Sequence, residues 1–172
     1  MTQISAPDRT EAAAYYFTYI DKVPAGDIRD VIEAQGPETL AVLRGITDER
    51  SQYRYAPDKW SIREMVHHVN DAERVFAFRA FWFSRGFETE MPSFDQDVAV
   101  ATAGAGQRSW QSIVEEFAAI RAASAAFFRT LPDEAWTRHG VASGNPVTVR
   151  ALAYIVAGHV AHHLQVLRER YS

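Results

Sequence analysis

Apolar residues recur at three- and four-residue spacing along four long stretches of the chain. No stretch sustains the alternation of a half-buried strand. The first stretch covers residues 26–46. There Gly36-Pro37 predicts a bend or a break, because proline cannot continue the helical ladder. A shorter helix near residues 9–23, dense in tyrosine and phenylalanine, precedes it. The second stretch opens on "KWSIREM": Ser61 as N-cap and Glu64 three residues on make a capping box, and Trp60 and Met65 flank it as a hydrophobic staple. It runs to about Arg85, where Gly86 supplies a stop. The third covers 109–131 and ends at Pro132. The last runs from the cap Thr148 to Arg170. A helix of about 23 residues spans about 35 Å, enough to cross a bundle. The segments 87–107 and 132–147 are rich in turn residues and read as loops. The expected fold class is all-α: one four-helix-bundle domain over residues 1–172, with long connections.

Composition narrows the function. The 172 residues are 47% hydrophobic and 23% charged, as in ordinary globular proteins. The net charge is −4 and no Lys/Arg run interrupts it, which counts against a nucleic-acid partner. The absence of cysteine excludes disulfides, thiolate metal sites and a cysteine nucleophile. The first twenty residues lack the basic start and apolar stretch of a signal peptide. No apolar run reaches membrane-spanning length. A cytoplasmic protein with no membrane partner is expected.

The histidines concentrate in "HH" at 67–68 and "HVAHH" at 159–163. Successive helical residues are 100° apart, so each imidazole can be assigned a face. His159 and His163 share a stripe with Leu152, Ile155, Val156, Val166 and Leu167, all apolar, and point to the core. His162 falls on a flank with Gly158, Gln165 and Glu169. On the earlier helix His68 shares a stripe with Met65, Ala72, Val75 and Phe76, whereas His67 lies with Arg63, Asn70, Asp71 and Arg74 and faces outward. Two histidines four apart chelate from one helix, and a third from a facing helix completes a triad. Three protein ligands with open positions is the arrangement of a catalytic metal site. The competing reading is a set of hydrogen-bonded core histidines, but three clustered imidazoles need partners for every ring nitrogen. A carboxylate-bridged di-iron site fits less well: Glu64 to His67 gives Glu-x-x-His once, Val156 stands where the second glutamate belongs, and Glu64 is already engaged in the capping box.

The stretches "YRYAPDKWSIREMVHHVNDAERVFAFRAFWFSRG", "MPSFDQD" and "VASGNPVTVRALAYIVAGHVAHHLQVLRERY" together resemble the DinB-like superfamily, bacterial four-helix-bundle metalloenzymes that include the YfiT-type proteins. The resemblance extends from about Tyr15 to Tyr171. It implies a bundle that holds one divalent metal, nickel or zinc, through three histidines. The family's first ligand maps onto His68, eight residues after Trp60, and its paired ligands onto His159 and His163. Homodimers are implied as well. "PDKW" and "MPSFDQD" depart from the Gly-Lys-Trp and Gly-Phe-Asp-Glu that relatives often carry. Related branches include thiol S-transferases, and hydrolases have been proposed.

A metal with open positions turns a bound water or thiol into a nucleophile near neutral pH. Two functions are therefore carried forward. One is a metal-dependent S-transferase or hydrolase acting on a small molecule. The other is a non-catalytic metal- or ligand-binding bundle of a stress response. The groups placed to assist the histidines are Asp71, Glu73, His162 and Asp95, with Asp97 beside Asp95 on a loop that could close over the site. Each has a plainer alternative: helix-face ion pairs for Asp71 and Glu73, a flank position for His162, turn or cap duty for Asp95. Arg79 and Arg85 are candidates for a substrate carboxylate, against a solvated role. The five aromatics Phe76, Phe78, Phe81, Trp82 and Phe83 cannot all face one core, so core packing and a subunit interface both stand for them.

Overall fold

Helix caps fix where the long helices begin. The structure, a computed structural model, describes residues 2–171; Met1 and Ser172, the two ends of the expected domain, lie outside the described residues. A short helix α1 (Phe17–Ile20) precedes α2 (Ile28–Arg44), whose N-cap Asp27 accepts from the Arg29 amide. One turn, α3 (Asp48–Ser51), leads to α4 (Ile62–Ser84), which opens on the expected capping box. The Ser61 amide donates to Glu64 Oε2 at 2.6 Å, and the Ser61 hydroxyl in turn meets the Glu64 amide. Then come α5 (Gln96–Thr102), α6 (Trp110–Arg129) capped by Ser109, and α7 (Val149–Arg170) capped by Thr148.

The four long helices close a ring in which α4 packs on α7 and α6, and α2 packs on α6 and α7. Consecutive helices α2 and α4 are thus diagonal, as are α6 and α7. Diagonal neighbours cannot be joined by a tight turn, which accounts for the length of the segments between them. Helices α4 and α7 run antiparallel: His68 early in α4 meets α7 in its second half, while Ser84 at the end of α4 accepts from Arg138 beside the start of α7.

Three expectations are corrected. Helix α2 runs unbroken through Gly36-Pro37. Pro37 and Glu33, the residue whose carbonyl loses its donor, both lie on the exposed face, where water can bond that carbonyl. Gly36 is buried, and a Cβ there would come within 3.1 Å of Arg121 Cγ, so the glycine makes room for a crossing side chain. The segment 132–147 contains a hairpin of β1 (His139–Ala142) and β2 (Asn145–Thr148), paired antiparallel from His139–Thr148 to Ala142–Asn145. Its two-residue turn, Ser143-Gly144, has positive φ at both positions (54° and 72°), the pattern of a type I′ hairpin turn. The segment 87–107 is also not all loop, since it holds α5.

The apolar core forms two clusters. One gathers Phe83, Phe128, Trp136, Leu152 and Ile155; the other gathers Leu43, Ile62, Ile113, Phe117 and Val160. Between them lies a layer of buried polar side chains that includes His68, Asn70, Glu73, Arg121 and His159. Among the described residues no helix is long and apolar enough to cross a membrane. The hairpin docks through Gly140, where an added Cβ would overlap the fully buried ring of Phe83. Gly140→Ala is therefore expected to cost about 1–3 kcal/mol by overpacking, read as a lowered urea midpoint with an unchanged m-value.

Candidate metal centre

Three of the six histidines meet in the polar layer. His68 comes from α4, His159 and His163 from successive turns of α7. The Nε2 atoms of His68 and His163 each lie 3.1 Å from Nε2 of His159, and all three lie within 4.8 Å of one another. His68 and His159 are buried, at 3% and 4% exposure, and His163 is half-buried. The separations suit a shared ion: ligands about 2.0–2.1 Å from a tetrahedral centre sit about 3.3 Å apart.

Hydrogen bonding alone does not satisfy the cluster. A ring nitrogen offers either one N–H or one in-plane lone pair. Nε2 of His159 can thus make one well-directed bond, yet it faces two Nε2 neighbours. The Nδ1 atoms of His68 and His163 are buried without a partner. A cation at the point of convergence would engage all three Nε2 lone pairs, so the residues present fit a metal.

Burial sets the protonation of the three rings. It lowers His68 to about 4 against the opposing pull of Asp71 and Asp97, and lowers His163 to about 3, with His68 and His162 adding repulsion. His159 is driven well below the ordinary value by burial first, then by His163 and His68. All three are neutral at pH 7, the form that ligates.

The surroundings are aromatic. The Trp60 ring lies 5.0 Å from His68 between centroids, and Phe76 lies 5.9 Å from His159. Tyr19 stands edge-on to both His159 and His162 at 5.2 Å, its hydroxyl 2.6 Å from that of Tyr15. Burial and the Tyr15 contact raise the Tyr19 pKa, which keeps the phenol protonated. This approach depends on Gly158, because an added Cβ would overlap the Tyr19 carbonyl. Neither Tyr19 nor Trp60 was assigned to the site from sequence. A glycine directly before an inward histidine was the available signal.

The groups expected to assist are placed unevenly. Asp71 is half-buried, 3.2 Å from Nδ1 of His67 and 3.1 Å from Arg74, and its charge bears on His68. His67 itself is buried, which corrects the outward assignment; its Nδ1 lies 3.2 Å from the Asp71 carboxylate one turn on. Glu73 is buried against Arg121 at 2.7 Å, an ion pair in the core where a helix-face pair or a histidine contact was anticipated. His162 is half-buried beside Tyr19, on the flank as expected. Asp95 is exposed and caps α5 through the Asp97 and Val98 amides, so it serves as a cap. Asp97, its neighbour, lies near enough to His68 to oppose the lowering of its pKa. Glu64 is held in the capping box and by Arg54, so the glutamate of the one Glu-x-x-His is already engaged and does not reach toward a metal with His67. The aromatic run divides between roles. Phe76 and Phe83 are core residues, whereas Phe78 and Phe81 are exposed.

The family model described as the DinB superfamily matches residues 32–167. Comparison of the sequence with curated proteins gives no match. Among solved structures the chain is similar to YfiT from Bacillus subtilis, described as a probable metal-dependent hydrolase with an unusual four-helix bundle topology. The identity is 18% and the TM-score 0.66, over 94% of this chain and 91% of that one. It is also similar to a mycothiol-dependent maleylpyruvate isomerase, at 13% identity and TM-score 0.67. That match covers 80% of this chain and only 58% of the isomerase.

The depressed imidazole pKa values make metal-free protein acid-sensitive. Between about pH 6.5 and 4 the unfolded chain binds protons at His68 and His163 that the folded chain refuses, so stability falls as pH falls through that window. Urea unfolding at pH 7 and at pH 4.5 should show this loss. It should be smaller in His163→Phe, which has one such ring fewer.

Proposed function

The chain belongs to the DinB superfamily, and from that premise we propose that it is a divalent-metal-binding protein. In this reading the ion is held by His68, His159 and His163, and the protein acts on a small molecule as a metal-dependent hydrolase or thiol S-transferase. The observation that carries the reading is the convergence of three neutral imidazoles from two helices, with Nε2 of His68 and of His163 each 3.1 Å from Nε2 of His159. Imidazole ligands suit nickel and zinc alike. The hydrolase and transferase readings draw support from the descriptions of the two similar structures, one metal-dependent and the other thiol-dependent.

A divalent ion with three protein ligands keeps positions open and lowers the pKa of a water or thiol that fills one. The chain's own residues do the remainder. Burial keeps the three rings neutral. Trp60, Phe76 and Tyr19 wall the cluster with ring surface and limit water there. Tyr19 keeps its proton and can donate a hydrogen bond. Asp71 and Asp97 bring negative charge to the His68 side, opposing the lowering of its pKa by burial. A homodimer is part of the same reading, supported by the exposed aromatics Phe81 and Phe87, and so is a cytoplasmic location.

Metal content is the test. Protein purified without an affinity tag should carry near-stoichiometric nickel or zinc, and His163→Ala should lose most of it while its circular dichroism stays helical. Equal metal in both proteins would sink the triad. A panel of esters, amides and thiol-plus-electrophile pairs should then show turnover that a chelator abolishes and added metal restores. Turnover indifferent to chelation would refute the metal-dependent enzyme. Metal binding without turnover across the panel would favour the non-catalytic bundle.

A further inference from the structure

Among the described residues four arginines are buried: Arg29, Arg63, Arg79 and Arg121. Three of them face a carboxylate, Asp27 at 2.6 Å, Asp48 at 3.1 Å and Glu73 at 2.7 Å. Arg79, only 3% exposed, faces none among the described residues. Its Nη2 donates to the Pro92 carbonyl at 2.6 Å and to the Ser143 hydroxyl at 3.1 Å, and its Nε is buried with no acceptor. A guanidinium keeps its charge at any physiological pH. Holding one out of water without a counter-charge is costly. Two neutral acceptors do not offset that cost as a carboxylate would.

Arg79 lines a groove of about 380 Å³ whose walls include Val75, Phe78, Met91 and Phe94. The other arginine on this groove, Arg74, is engaged by Asp71 and Glu116. One unneutralised cation among apolar walls is the lining expected of a small-molecule site with a fixed polar anchor. We propose that this groove binds a small molecule with an apolar body and a single carboxylate, which supplies the counter-charge missing at Arg79. A singly charged acid matches one cation, whereas a phosphate would leave surplus negative charge in an apolar setting.

The groove and the histidine cluster lie on one face of α4. Arg79 follows His68 by three turns, within about 20° of the same face and about 16 Å along the axis. One covering segment serves both. Met91–Phe94 borders the groove, and Asp97, three residues on, bears on His68. That the bound acid is a substrate whose far end reaches the histidines rests on the function proposed above; that the groove takes a carboxylate does not.

The probe pair is 3-phenylpropionate and its uncharged amide, titrated by calorimetry and saturation-transfer NMR into chelator-treated protein and again into metal-loaded protein. The acid should bind both preparations, and the amide should bind at least about tenfold more weakly. Arg79→Met should abolish the preference for the acid. Val75→Trp, which fills the groove and leaves Arg79 and its two acceptors in place, should abolish binding of the acid. Equal binding of acid and amide, no binding of the acid to wild type, or a preference that survives Arg79→Met would overturn the proposal. Should Arg79→Met fail to fold, undiminished binding of the acid to Val75→Trp overturns it instead. Binding of the acid to the chelator-treated protein sustains the groove even where the metal reading fails.

Discussion

The Glu73–Arg121 ion pair is the contact through which the four long helices share one level. Arg121 reaches from α6 to Glu73 on α4 at 2.7 Å and to Gln35 on α2 at 3.1 Å. Gln35 then donates to the Ala157 carbonyl on α7 at 2.9 Å. Such a pair adds little net stability over a well-packed apolar substitute, because both charges give up hydration. Burial indeed raises the Glu73 pKa and lowers that of Arg121, each opposed by the other's charge. Removing one partner is another matter, at about 3–5 kcal/mol, since the survivor is left charged and buried. What the pair supplies is register. Apolar surfaces can slide past one another, whereas a guanidinium bound to carboxylate and amide oxygens has few equivalent positions.

Register is what the histidine cluster requires. Ala157, which receives the Gln35 amide, lies two residues before His159. Glu73 lies little more than one turn beyond His68 on the facing helix. A slip of one residue in either helix would rotate its imidazole by about 100° and dissolve the convergence. Gly158 adds a second constraint. It brings the Tyr19 backbone against α7, so the ring settles on His159 and His162. Gly36 plays a matching part on α2 by making way for the stem of Arg121. Two glycines within helices, each a cost to helix propensity, thus serve the same layer.

The parts legible in the sequence were those governed by helical periodicity and capping. His68, His159 and His163 declared themselves because their stripes are apolar. Ser61 and Thr148 mark their helix starts by local chemistry. The family assignment and the bundle followed from the same residues. The parts that were not legible depend on contacts remote in sequence. Pro37 breaks a helix by local rule, yet its freed carbonyl faces water. His67 shares a stripe with charged residues, yet it is buried beside Asp71. The hairpin rests on Ser143, a non-glycine residue with φ of 54°, whose hydroxyl accepts from Arg79. No window of sequence around Ser143 contains that donor. Arg79 reads either as a ligand for a substrate carboxylate or as a solvated helix-end arginine, and Pro92 and Ser143 folded over it remove the second.

The diagonal order of the helices accounts for where the remaining chemistry lies. A bundle of adjacent helices needs only short turns, which add little surface beyond the helices themselves. Here α6 and α7 are diagonal, and the segment between them crosses the bundle as a hairpin that packs on Phe83 and reaches Arg79. The segment before α5 pairs with that hairpin, since the Met91 amide donates to the Val141 carbonyl and the Ser143 amide to the Met91 carbonyl. The two connections therefore form one cover over the face of α4 that carries His68 and Arg79. Covering segments of this kind lack the deep burial of helix α7, and Asp95, Asp97 and Val98 are all exposed. Sequence change there can reshape what enters the groove while the Glu73–Arg121 layer keeps the histidines in register.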